Sequence, residues 1–114
     1  MHRWRVMEAV SPQGVRTRHV CGNDPNGSFG ISTSAIQEFD PAAMTVKTRS
    51  GKIYALVGFP DKSPLGESAW RKWCNGNGVI VEVDVTSEYM NVSPDPEPAI
   101  TFKKVGRLGV ATAS

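Results

Sequence analysis

Cys21 and Cys74, with His2 and His19, are the residues of this 114-residue chain best suited to nucleophilic or metal-binding chemistry. The run His19-Val20-Cys21 puts an imidazole and a thiol on one face of a strand, because side chains alternate there. Cys74 and His2 would have to act as remote ligands to complete a zinc site. The paired C-x2-C or H-x3-H elements from which such sites are usually built are missing, and no third group is placed to orient a Cys–His nucleophile and base. Two cysteines are also too few for a disulfide framework. The expectation is two small, buried, unbridged thiols, with no metal and no cofactor.

The remaining chemistry-bearing residues point to binding surfaces. Glu82 and Asp84 alternate along one strand and could form a carboxylate pair, but a solvated acidic strand face is the simpler account and the one expected. The sequence contains no G-x-S-x-G, H-E-x-x-H, C-x-x-C, G-x-x-x-x-G-K or G-x-G-x-x-G. Hydrolytic, metalloprotease, thiol-redox and phosphate-loop chemistry therefore have no motif to rest on, and the chain is expected not to be an enzyme. The loop CGNDPNGSFG, residues 21–30, offers Asn23, Asp24 and Asn26 as binding candidates on a mobile segment. Its spacing is that of a calcium loop without the closing glutamate. Lys47 and Arg49 on one strand face, Lys52 past the following turn, and Arg71 and Lys72 between Trp70 and Trp73 supply cations for phosphate and rings for stacking. Against that, helical spacing turns Trp70 and Trp73 toward a core and Arg71 and Lys72 outward. A sequence pI near 8.7 with a net charge of +2 is also short of a strongly basic domain.

The small net charge conceals a polarised chain. Residues 1–20 carry +3, residues 76–100 carry −5 with no base among them, and residues 101–114 carry +3. Pairing of the basic ends with the acidic stretch inside the molecule is the expected outcome.

These residues need elements to hold them. Ser34–Phe39, Met44–Arg49 and Lys52–Phe59, joined at Asp40-Pro41 and Ser50-Gly51, read as a three-stranded antiparallel meander, with the third and most apolar strand central. Ser63-Pro64 is an N-cap followed by proline, and Leu65, Ala69, Trp70, Trp73 and Cys74 make an apolar stripe, so a helix is expected over residues 63–75. Val79–Val85 is a strand by its β-branched content. Trp4–Val10 and Arg16–Cys21, linked by Ser11-Pro12-Gln13-Gly14, add two more. The expected fold class is α+β, a curved antiparallel sheet of about five strands with the one helix packed on it. Residues 1–92 form one domain, and residues 93–114 form a Pro-rich spacer and loose tail in which Ala99–Val105 could add an edge strand.

The runs RTRHVCG (16–22), MTVKTRSGKIYALVG (44–58), SAWRKWCNGNGV (68–79) and DVTSEY (84–89) together resemble a group of small proteins encoded by proteobacteria and their phages or prophages. The resemblance covers roughly residues 16–90 and lies in turn, strand and helix positions. It implies a bacterial cytosolic protein from a mobile element, a class that includes inhibitors of host defence such as anti-CRISPR proteins. The mild positive charge departs from inhibitors that mimic DNA with an acidic surface, so inhibition would work by direct protein contact. The opening MHRWRVMEAV has no apolar signal region, and no apolar run approaches the ~20 residues of a membrane span, so a cytoplasmic, non-membrane protein is expected. The functional expectation is non-catalytic protein binding, regulatory or inhibitor-like, with homodimerisation by strand-edge pairing as one form of it. The alternative is nucleic-acid binding through the basic strand face.

Overall fold

The computed structural model describes residues 1–90. The Pro-rich spacer, the Ala99–Val105 edge strand and the end of the 1–92 domain lie outside those residues. The architecture is α+β, as expected. Its strands are β1 (His2–Val10), β2 (Arg16–Asn23), β3 (Gly30–Ser32), β4 (Ile36–Asp40), β5 (Thr45–Thr48), β6 (Ile53–Ala55) and β7 (Val81–Asp84), with the helix α1 (Pro64–Gly76) between β6 and β7 and a 3-10 turn at Thr86–Tyr89. Instead of one sheet of about five strands there are two antiparallel sheets, β3-β2-β1-β7 and β4-β5-β6.

The meander forms where the turns demand it. Asp40 Oδ1 accepts from the backbone N–H groups of Ala42 and Ala43, and Gly51 takes the positive φ of 89° that closes the β5–β6 hairpin. The third strand departs from expectation: β6 is three residues long and lies at the edge of its sheet, with Ile53 67% exposed. The reason is that its outer edge meets only the first residues of the chain and no further strand of its sheet. Met1 donates its amino group to the Ala55 carbonyl, Val57 N–H donates to Met1 O, and His2 and Val57 form a parallel bridge. Ala55 stays paired with Thr45 and Leu56 N–H donates to Met44 O, so residues 55–57 keep their place beside β5 while stitching the small sheet to the start of β1.

β1 is the centre of the molecule and carries two cores. One side of it, with Trp4 and Val6, joins Val20, Val46, Leu56, Val85 and Tyr89 between the sheets. Its other side, with Met7 and Ala9, packs with Cys21 against Trp70 and Cys74 of α1. The helix starts as expected: Ser63 Oγ accepts from Gly66 N–H at 2.8 Å, with Pro64 in the first turn. It lies very close to the sheet, since a Cβ on Gly66 would sit 2.8 Å from Gly22 Cα.

Two threonines finish the ladders where strands run out. Beyond β3, Thr33 Oγ1 accepts from Val20 N–H at 3.0 Å and Thr33 N–H donates to Val20 O. Beyond β7, Thr86 Oγ1 accepts from Val6 N–H at 3.0 Å. Val6 and Val20 are cross-strand partners, both fully buried, so each hydroxyl satisfies a backbone donor that water cannot reach.

Candidate functional site

Ion pairing decides which charges remain for function. Arg5 grips Glu67 of α1 with two nitrogens at 2.8 and 2.9 Å and reaches Asp84 of β7 at 2.7 Å. Burial disfavours the Arg5 cation, and these two carboxylates outweigh it and raise its pKa. Arg18 bridges Glu8 and Glu88, Arg16 meets Glu8, Arg3 meets Asp61, and Arg71 meets Glu82 at 2.6 Å. Of the N-terminal arginines, Arg5 and Arg18 thus pair with the acidic stretch, through Asp84 and Glu88, whereas Arg3 and Arg16 pair with Asp61 and Glu8; the basic residues 101–114 lie outside the described residues. Glu82 and Asp84 are both exposed on β7, as a solvated strand face would be, yet each is paired: Glu82 also accepts from Trp70 Nε1, and Arg71 with Trp70 holds its carboxyl below the usual range. For Asp84, burial raises the pKa, but the Thr86 and Arg5 contacts prevail and lower it.

Of the basic candidates, Arg71 is thus committed to the fold. Lys47, Arg49, Lys52 and Lys72 make no ion pair with a carboxylate of the described residues. The first three belong to the β5–β6 hairpin, where Arg49 and Lys47 line different cavities, while Lys72 stands apart on α1 beside Phe29 and Leu65. Across the ladder from Lys47 sits Glu38, which tempers the basic face.

The loop candidates turn out to be builders of the loop. Asp24 is buried, and its carboxylate accepts from the backbone N–H groups of Asn26, Ser28 and Phe29, which together hold its pKa down. Asn23 Oδ1 accepts from the Ser63 hydroxyl that caps α1. Asn26 alone is exposed and uncommitted. The cysteines are both free and buried, and desolvation together with Glu67 pushes the Cys21 thiol up to about 12, so it is no nucleophile at neutral pH. Among the described residues no three His, Cys, Asp or Glu side chains converge as metal ligands. No helix there is long and apolar enough to cross a membrane.

Two features escaped the sequence reading. At one end of β1, Phe59 is 88% exposed on the Gly58-Phe59-Pro60 loop. It borders a groove of ≈260 Å³ walled by Trp4, Met44, Leu56 and Met90. The signal was present in the sequence as an aromatic held between glycine and proline in a loop. At the other end of β1, a cleft of ≈330 Å³ opens between the sheets and the C-terminal part of α1, with Arg49, His19, Thr17, Trp73 and Asn77 in its walls. Trp73 is only half-buried and faces this cleft, whereas Trp70 is wholly in the core.

No protein-family model, curated protein or solved structure matches the chain.

Proposed function

We propose that the protein is a non-catalytic binding protein that engages another protein through the Phe59 loop and the groove beside it. The observation that carries this reading is Phe59 itself. A large aromatic ring left 88% exposed, on a loop stiffened by Pro60 and beside an apolar groove, has the composition of an interface anchor. Val57, 44% exposed and two residues earlier, and Met90, 41% exposed, extend the apolar surface. In this reading the protein acts by contact, and the buried Cys21 thiol and five ion-paired arginines serve the fold. A bacterial or phage origin and a cytoplasmic location belong to the same reading, through the sequence resemblance alone.

The test is a photo-crosslinking side chain at position 59, irradiated in cells that make the protein. A discrete adduct is expected. Its second component should be a different protein joined through an apolar segment, and excess unlabelled wild type, but not Phe59→Ser, should abolish it. Because residue 90 walls the groove, an adduct to residues 91–114 of the same chain, or to a second copy, would overturn the heteromeric reading. Phe59→Ser is expected to leave stability within about 0.5 kcal/mol, so loss of the adduct is not loss of fold.

The alternative, nucleic-acid binding, rests on the unpaired Lys47, Arg49 and Lys52 of one hairpin. It requires a salt-dependent shift of random DNA or RNA that Lys47→Gln and Lys52→Gln weaken. No shift at low salt removes it.

A further inference from the structure

We infer that the cleft at the far end of β1 is a binding site for a small aromatic anion: a flat ring carrying one carboxylate or phosphate and at least one N–H or O–H donor. Its volume of ≈330 Å³ lies at the lower end of the roughly 300–1,000 Å³ typical of small-molecule sites. The site is separate from the Phe59 groove, which lies against Trp4, whereas the cleft begins at Ala9 and Ser11.

The charge of the ligand follows from the lining. Arg49 is the single formal charge in the walls, no acidic residue lines them, and Arg49 pairs with no carboxylate of the described residues. His19 adds no second cation, because burial in the first place, and Arg49 with it, favours the neutral ring. An exposed guanidinium with its fork free, at the edge of the cleft, can hold a carboxylate or a phosphate through two parallel N–H···O bonds.

The ring follows from Trp73. Trp70 stacks on it at 5.4 Å with 7° between the planes, and His19 sits 4.0 Å away at 45°. Held by both, the indole presents a fixed apolar surface to the cleft, which suits another flat ring.

The donor requirement follows from hydrogen-bond polarity. His19 Nδ1 lies 2.9 Å from the Thr33 carbonyl, which only accepts, so Nδ1 carries the proton of the neutral ring. Nε2 is then an acceptor, and Thr17, 2.7 Å away, must donate its hydroxyl proton to it. Thr17 Oγ1 therefore offers the cleft lone pairs only. Asn77 adds a carbonyl oxygen beside it, one of the two Nδ2 N–H groups being spent on Trp73 O at 2.8 Å. A ligand with no donor would leave the half-buried Thr17 oxygen without a partner on binding.

The test uses the three indole N–H signals of the folded protein in a ¹H–¹⁵N correlation spectrum. Trp4 donates to Gly58 O and Trp70 to Glu82, so Trp73 reports on the cleft alone and is assigned with Trp73→Phe. The probes are anthranilate and adenosine 5′-monophosphate, each beside its uncharged counterpart, anthranilamide and adenosine. A saturable shift of the Trp73 signal is expected with one or both anions. The affinity should fall by roughly 10–100-fold in Arg49→Gln and stay unchanged in Lys47→Gln, which lies on the same hairpin outside the cleft. Anthranilate alone would identify a carboxylate ligand, and the monophosphate alone a phosphate ligand. The inference is overturned if neither anion moves the Trp73 signal, if the neutral counterparts bind as tightly, or if Arg49→Gln, still folded, binds like wild type.

Discussion

Thr33→Val exchanges one hydroxyl for a methyl of almost the same shape, and the structure allows its cost to be worked out. Thr33 is 2% exposed and Val20 fully buried, so the Val20 N–H that Thr33 Oγ1 now accepts would be left with no partner and no water. Orphaning a buried backbone donor costs about 1–3 kcal/mol. The 2.8 Å bond from the hydroxyl to Ser34 O is lost as well, but Ser34 is half-buried and its carbonyl can turn to water. The extra methyl returns less than about 0.8 kcal/mol of apolar burial. A net loss of about 1–2 kcal/mol is expected, or roughly 4–16 °C in Tm for a domain of this size. Thr33→Ser keeps both hydrogen bonds and should cost only about 1 kcal/mol for its missing methyl. Urea denaturation, followed by tryptophan fluorescence and by circular dichroism with the m-value checked for constancy, measures both variants. The reasoning fails if valine proves as stable as threonine while serine is the worse of the two. The position would then be valued for its apolar volume and not for closing the β2 ladder.

Three further outcomes are expected. Gly66→Ala should destabilise by about 1–3 kcal/mol, because its Cβ meets Gly22 backbone at 2.8 Å, whereas Gly76→Ala, with nothing within 4 Å, should be neutral or stabilising by up to about 1 kcal/mol; paired thermal melts decide. Acid should act in two steps. The folded His19 pKa is below its unfolded value of ~6.5, so the unfolded chain binds the proton first, and stability is intact above pH ~6.5 and falls as pH drops below it. Glu82, Asp84 and Asp61 have lowered pKa values, and their stabilisation is lost as pH falls through and below about 4. Denaturation midpoints against pH should lose only the first step in His19→Gln. Both thiols, buried and raised in pKa, should resist an aromatic disulfide reagent in the native protein and react promptly in urea, and fast native labelling would contradict the packing around Cys21.

Much of the fold was legible because it is locally encoded. Ser63-Pro64, Asp40-Pro41 and Ser50-Gly51 each fix a cap or turn through their own backbone preferences, and α1 and the meander followed. The division into two sheets was hidden because the Met1–Ala55 and His2–Val57 pairings join residues more than fifty positions apart. The same holds for Thr33 and Thr86, whose polar side chains look like loop residues until the strands ending beside them are in place. Lys47, Arg49 and Lys52 were readable as a basic hairpin. That Arg49 meets His19 of β2 and Trp73 of α1 was not, since the cleft is assembled from elements adjacent only in space.

The position of β1 at the centre of its sheet also sets the order in which the molecule can be assembled. The β1–β2 hairpin closes across the short turn at residues 11–15, but β7 must return to β1 from far along the chain: Arg5 meets Asp84 at a separation of 79 residues and Val6 meets Thr86 at 80. Closing so long a loop costs about 2 kcal/mol more entropy than the hairpin turn, so β7 docks after its neighbours have formed. Until then one edge of β1 is bare, with Val6, Met7, Ala9 and Val10 along it. An unpaired, largely apolar edge recruits other copies in the same state. Refolding yield should therefore fall with protein concentration, and substitutions that weaken the Arg5–Asp84 and Val6–Thr86 contacts should lengthen that exposure.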